Sequence, residues 1–220
     1  MPFILYVLLK IPAPITALQI LAIDLGTETL PALALGVEKP EPGVMDHPPR
    51  NRKQGIVDRL LLFRGYVYLG RSNTAAVLIG YFVVLVHGGW RLGKTLEPIE
   101  TVFTNPLHIK ATTMVFVGIV VMQIANIFSC RSERLSAFRI GVGSNRLILV
   151  GILFELLFTG VLMYVPFLQG VFTTTPLGIK DWLLLFGMML VIFLMEEARK
   201  KLVDLWRSRR SFRVARADLG

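Results

Sequence analysis

Two carboxylates four residues apart, Asp24 and Glu28, stand in the middle of the apolar run Gln19 to Gly36, with Thr27 between them. On a helix that spacing puts all three side chains on one face. A carboxylate at bilayer depth costs roughly 2.5–3.5 kcal/mol on insertion scales, so a pair of them needs a compensating partner. Gly26 and Pro31 loosen the backbone at the same place, and carbonyls freed there can join the carboxylates as oxygen ligands. Hard cations select such oxygen-rich, partly unwound sites. The run therefore reads as an intramembrane cation site, with Asp24 and Glu28 as its metal-ligating acids. A buried polar pair that only joins helices is the plainer alternative.

Other chemistry-bearing residues sit in later apolar runs. Gln123 and Asn126 are three apart and share a face. They suit either interhelical hydrogen bonding or a share in the ion site. Glu155, isolated among Leu, Phe and Ile, is a functional candidate because an ionisable group in lipid is expensive; its alternative is a partner for Arg71 or for a backbone amide. Glu196 and Glu197 precede Arg199, Lys200 and Lys201 by one turn and are expected to pair with them structurally. His47 lies in a charged loop without a second His near it, and is read as solvated. The single Cys130 excludes an internal disulfide and a Cys-rich metal site, and is read as a buried or interfacial thiol. Gly141-Val142-Gly143-Ser144 follows no strand and precedes no Lys, so it is a turn rather than a phosphate loop. No nucleophile triad, nucleotide loop or metal-ligating His pair is present.

The elements that must position these residues are membrane helices. The chain has 220 residues, 54% of them hydrophobic, with mean hydropathy +0.61. Several runs approach the length of about 20 residues that crosses a bilayer. The fold class is all-α: a polytopic transmembrane helix bundle of about five complete spans plus an amino-terminal half-helix. The whole of 1–220 forms one membrane domain. Residues 1–9 end a truncated helix, 15–36 form the ion-site helix, and 60–86, 108–129, 145–168 and 181–198 are further spans. Between them, 37–59 is a proline-stiffened loop, and 199–220 is a basic tail. Arg64 is expected to snorkel and Trp90 to anchor at the interface. Arg71, deeper, either pairs with an acid or marks a helix that extends beyond the membrane.

Lys and Arg number 24 against 15 Asp and Glu, a net charge of +9. Most of the basic residues fall in 37–59, 130–146 and the tail, the pattern that orients membrane proteins, and not in a nucleic-acid patch. That bias places the carboxyl terminus in the cytoplasm. The tail arginines should attract anionic lipid, each adding on the order of 1 kcal/mol at best. Met1-Pro2-Phe3 opens without a basic leader or a small-residue cleavage site.

At this point a family is recognisable. Ile23-Asp24-Leu25-Gly26-Thr27-Glu28-Thr29-Leu30-Pro31-Ala32, followed by Gly36 and by Met45 to Arg50, resembles the sixth membrane helix and following loop of P-type cation-transporting ATPases. Ala111 to Phe116, Gln123 to Asn126 and Phe128 to Arg131 resemble the eighth helix, Phe154-Glu155 the ninth, and Glu196 to Lys200 the end of the tenth. The resemblance runs from the end of the fifth helix to the tail and is nearest the sodium/potassium- and calcium-pump branches. It implies that Asp24, Thr27 and Glu28 coordinate a transported cation, with Gln123, Asn126 and Glu155 at further cation positions. It implies too that Asp46, Pro48, Pro49 and Arg50 belong to the segment coupling this region to a cytoplasmic phosphorylation domain. Asp24 matches the sodium/potassium branch, whereas Glu28 stands where Asp is usual, so the cation is not named. ATP and Mg would act only through domains outside these residues, and the chain is not expected to hydrolyse ATP alone. The implied partners are membrane lipid and the remainder of a pump, or a separately encoded amino-terminal half, with no nucleic acid; the implied location is the plasma membrane. The alternative is a stand-alone, non-catalytic membrane remnant or interaction module.

Overall fold

The structure is a computed structural model and describes residues 13–40, 45, 57, 59–90, 104–132 and 135–217. The half-helix at 1–9, His47, and the coupling residues Asp46, Pro48, Pro49 and Arg50 lie outside the described residues.

Helices alone make up its regular structure among the described residues. α1 (Ala17–Ala22) passes through a π-helical segment (Ile23–Thr27) into α2 (Thr29–Gly36). α3 (Arg59–Leu62) passes through a second π-helical segment (Phe63–Leu69) into α4 (Gly70–His87). α5 (Pro106–Cys130), α6 (Ala137–Ile140), α7 (Arg146–Tyr164), α8 (Pro166–Phe172) and α9 (Ile179–Ala217) follow. Four helical stretches are long and apolar enough to cross a membrane: Ala17–Gly36, Phe63–His87, Pro106–Cys130 and Arg146–Tyr164. The chain is a helical membrane bundle. The fifth expected span, 181–198, lies within α9. The apolar part of α9 runs only from Trp182 to Met195, between Asp181 and Glu196, and its helix continues through the expected tail to Ala217.

The boundaries follow from local chemistry. Thr16 and Gln19 form a reciprocal capping box at the start of α1. Asn105 caps α5 and is followed by Pro106, whose missing N–H costs nothing in the first turn. Asn145 caps α7 in the same way. The expected span 145–168 stops at Tyr164, because Pro166 holds Val165 extended (φ −86°, ψ 116°) and the chain restarts as α8.

α5 is the central helix. Of its most apolar stretch 72% is buried, against 33% for the first and fourth spans. Met114, Phe116, Val117, Val120 and Val121 are enclosed between α4 and α9. Because lipid tails are as apolar as these side chains, close van der Waals contact holds such helices together, and small residues at the interface permit it. Gly80 and Gly118 face Met114 and Leu185 at contact distance. The outward side chains, Leu25, Leu33, Leu153, Leu157 and Leu183 among them, are exposed, as a lipid-facing surface requires.

Polar side chains close the two ends. At one end Gln19, fully buried, donates from Nε2 to the carbonyls of Phe172 (3.2 Å) and Thr173 (3.1 Å). Buried His108 approaches the Ala13 carbonyl at 3.0 Å, and Lys110 pairs with Asp181 at 3.0 Å. Trp90, just beyond the second span, is buried and stacked on Phe82. At the other end Arg64 is held within the protein: its Nη2 donates to Glu196 at 2.6 Å and to the Ser129 carbonyl at 3.2 Å. Glu196 and Glu197 pair with Arg199 and Lys200 as their spacing suggests. Arg71 is exposed and Cys130 is exposed.

Just beyond α2, Glu38 accepts from Arg131 (2.7 Å) and Asn145 (2.8 Å), tying the first span to the α5–α7 connection. Burial pushes this carboxyl up, but the Arg131 and Asn145 hydrogen bonds and the Arg131 charge outweigh it and hold it below its ordinary value of 4.5. Its stabilisation is therefore present above pH 4.5 and lost as the pH falls below it. Thermal unfolding from pH 7 down to pH 3 is expected to show a smaller acid loss in Glu38→Gln than in the native chain. Parallel acid curves would show that the Glu38 tie contributes nothing.

Candidate cation site

The break in the first span comes from two residues. Pro31 has no N–H to give the Thr27 carbonyl four residues earlier. Upstream, the Glu28 N–H reaches back five residues to the Ile23 carbonyl at 3.1 Å, the π-helical bond. π segments of this kind concentrate at functional sites. Gly26, inside the π segment, lies under the ring of Phe158 on α7; a Cβ there would sit 2.2 Å from Cε1. Further along, Gly151 of α7 brings its backbone against Pro31, where a Cβ would lie 3.3 Å from the Pro31 nitrogen. The two glycines let the interrupted helix and α7 approach closely.

Around this break, side chains from three helices meet. Thr27 is fully buried; its hydroxyl donates to the Ile23 carbonyl at 2.9 Å and lies 3.3 Å from Gln123 Oε1. Gln123 Nε2 donates to Glu28 Oε1 at 2.6 Å. Thus Thr27, Glu28 and Gln123 form one linked set. From α7, Glu155 is fully buried and neither carboxylate oxygen has a hydrogen-bond partner. Glu28 is the charge that acts on it electrostatically. Thr159, one turn on and also fully buried, has an unpartnered hydroxyl. Buried polar oxygens left unmatched are rare, because each costs about 1–3 kcal/mol and more when charged.

Other expected members fall elsewhere. Asp24 is exposed, as Glu28 is, and makes no hydrogen bond to Thr27, Gln123 or Glu155. Asn126 accepts from Asn73 Nδ2 of α4 at 3.0 Å, an interhelical bond that separates it from Gln123. Glu155 pairs with neither Arg71 nor a backbone amide. Among the described residues no three of His, Cys, Asp and Glu gather as a metal cluster, so the oxygens gathered here come from Glu, Thr and Gln. Sequence reading passed over Thr159, although its spacing of four from Glu155 in an apolar run was a usable signal. It also passed over Asn73 as a partner, because a partner on another helix has no sequence signature.

A family model described as "Cation transporting ATPase, C-terminus" matches residues 12–202. The chain belongs to that family. It is the carboxyl-terminal membrane region of a P-type cation ATPase. Among related proteins, it is 32% identical over 235 residues to the sodium/potassium-transporting ATPase subunit alpha-4 of Homo sapiens, covering 96% of this chain and 23% of that protein. The alpha-4 subunit of Rattus norvegicus is 30% identical over 222 residues, covering 92% of this chain and 22% of its own length. The alpha-3 subunit of Rattus norvegicus is 29% identical over 219 residues, with 90% and 22% covered. The chain thus spans between a fifth and a quarter of the curated relatives it matches. In this cation-ATPase region the π break, the Gln123–Glu28 hydrogen bond at its exposed side and the unpartnered α7 carboxylate occupy one neighbourhood.

Proposed function

We propose that this chain supplies the carboxyl-terminal part of the membrane cation site of a P-type pump, with the cation bound as cargo between the π segment, α5 and α7. The carrying observation is Glu155: a fully buried carboxylate with two unpartnered oxygens, beside a helix break that holds Thr27, Glu28 and Gln123. A carboxylate left uncompensated in a low-dielectric interior is costly, and a cation removes that cost. Glu28 and Gln123 supply further oxygens, and Asp24 is exposed, open to a helix from the rest of a pump. In a complete pump, ATP hydrolysis at a phosphorylation domain would shift the π segment against α7, changing which oxygens face the ion. Asp46, Pro48, Pro49 and Arg50 would carry that movement. The carboxyl terminus would then lie in the cytoplasm and the membrane would be the plasma membrane, in keeping with the basic residues at 130–146 and in the tail.

The test uses the chain itself and then the assembled pump. Thermal unfolding of the intact chain in detergent, titrated with Na+, K+ and Ca2+ in turn, should show stabilisation by at least one ion. Glu155→Gln is expected to remove most of that increment and at the same time raise the ion-free stability, because an uncompensated buried carboxylate disappears. Glu28→Gln should reduce the increment in part. In the assembled pump, Asp24→Asn and Glu28→Gln should abolish or sharply weaken ion-dependent ATP hydrolysis. A reading as a non-transporting membrane module would win if neither the chain nor the pump variants showed any ion dependence to lose.

A further inference from the structure

Where the first span ends and α7 begins, a cleft of about 360 Å³ opens between residues 37–40 and the connection from Arg139 to Leu147. Four cations line it: Lys39, Arg131, Arg139 and Arg146. The one carboxylate in its wall, Glu38, is already engaged by Arg131 and Asn145. Lys39, Arg139 and Arg146 are exposed, and none has an ion pair with a described residue. Arg131 is different. Its side chain is fully buried, and it donates to the Gly141 carbonyl at 2.9 Å, to Glu38 and to the Ser144 hydroxyl, yet its Nε–H has no acceptor. A buried guanidinium N–H without an acceptor, in a wall with three further exposed cations, is a place for an anion with several oxygens.

The position selects the anion. The cleft lies at the ends of two membrane-crossing helices, Ala17–Gly36 and Arg146–Tyr164, and so at the edge of the hydrocarbon layer. Directly beside it α7 exposes Leu147 and Val150, 55% and 58% accessible, an apolar strip running away from the charges. A charged head above an apolar strip matches a phospholipid. We propose that this cleft binds the phosphate of an anionic phospholipid headgroup, with the acyl chains lying along the Leu147 and Val150 face of α7. Lys39, Arg139 and Arg146 contact the headgroup, and Arg131 forms the floor while holding Glu38 in place. The site is separate from the cation site and stands whether or not that site binds an ion.

Native mass spectrometry of the intact chain, titrated with phosphatidylglycerol and separately with phosphatidylcholine, tests the assignment. The native chain should retain one phosphatidylglycerol more tightly than any phosphatidylcholine. Arg139→Gln/Arg146→Gln should weaken that one roughly tenfold, in keeping with the loss of two interfacial charges. Lys39→Gln/Arg146→Gln, also at exposed side chains, gives a second variant should the first not fold. Arg209→Gln/Arg210→Gln in the tail should leave the tight lipid in place. Equal phosphatidylglycerol binding by the native chain and a folded cleft variant would overturn the proposal. So would a cleft that inorganic phosphate fills, with the same sensitivity to the variants, while phosphatidylglycerol leaves no tight adduct.

Discussion

Glu196→Gln is expected to cost about 3 kcal/mol, the low end of what breaking a buried ion pair does. Glu196 is fully buried and holds two guanidinium groups at once: Arg64 Nη2 at 2.6 Å, and Arg199 through Nε at 2.8 Å and Nη2 at 2.7 Å. A Gln keeps the shape but removes the charge, leaving Arg64 and Arg199 facing each other without an anion. Arg64 is 14% exposed and Arg199 27%, so water recovers part of the penalty, which is why the low end applies. The three residues bridge the π segment before α4, the end of α5 (through the Ser129 carbonyl) and α9, and losing the link should loosen α9. Unfolding in a mixed-micelle SDS titration measures this. Arg64→Leu/Glu196→Leu/Arg199→Leu should recover most of the stability, since apolar side chains replace all three charges without stranding one. A wild-type midpoint for Glu196→Gln would show that water reaches the cluster freely.

Gly26→Ala should be a damaging single-methyl change at the candidate site. Its Cβ would lie 2.2 Å from Phe158 Cε1 and 2.6 Å from Cζ, well inside contact distance. Alanine gains about 1 kcal/mol over glycine in an ordinary helix. Overpacking costs roughly 1–3 kcal/mol, and here Phe158 is held by stacking on Phe154 at 5.9 Å, so the ring has little room to yield. The clash therefore outweighs the propensity gain. The π segment would be pushed off α7, moving Thr27 and Glu28 away from Glu155, and the ion-dependent stabilisation should fall along with the midpoint. Phe158→Ala in the same chain should restore the approach and much of the stability. If Gly26→Ala alone unfolds like the native chain, the close approach of these helices is not what holds the site together.

Much of this was legible in residue order. Apolar runs of bilayer length and the proline positions located four of the spans within a few residues, because these are local properties of the chain. The pairing of Glu196 and Glu197 with Arg199 and Lys200 was legible for the same reason. The end of α7 was missed where Val165 precedes Pro166, since the apolar run continues across it to Leu168. The partner of Arg64, Glu196, was not legible because it is 132 residues away.

By itself the sequence determined a helical membrane chain, a family, and a first helix whose acids flank a break at Gly26 and Pro31. All of these are local properties, encoded in composition, periodicity and backbone chemistry. Tertiary structure alone decided which polar groups meet. It joined Gln123 to Glu28 while giving Asn126 to Asn73. It also buried Glu155 and Thr159 without partners. The reason is geometric: Gln123 and Asn126 are equally amides in one apolar run, and only the crossing of α5 with the π segment and α4 distinguishes them.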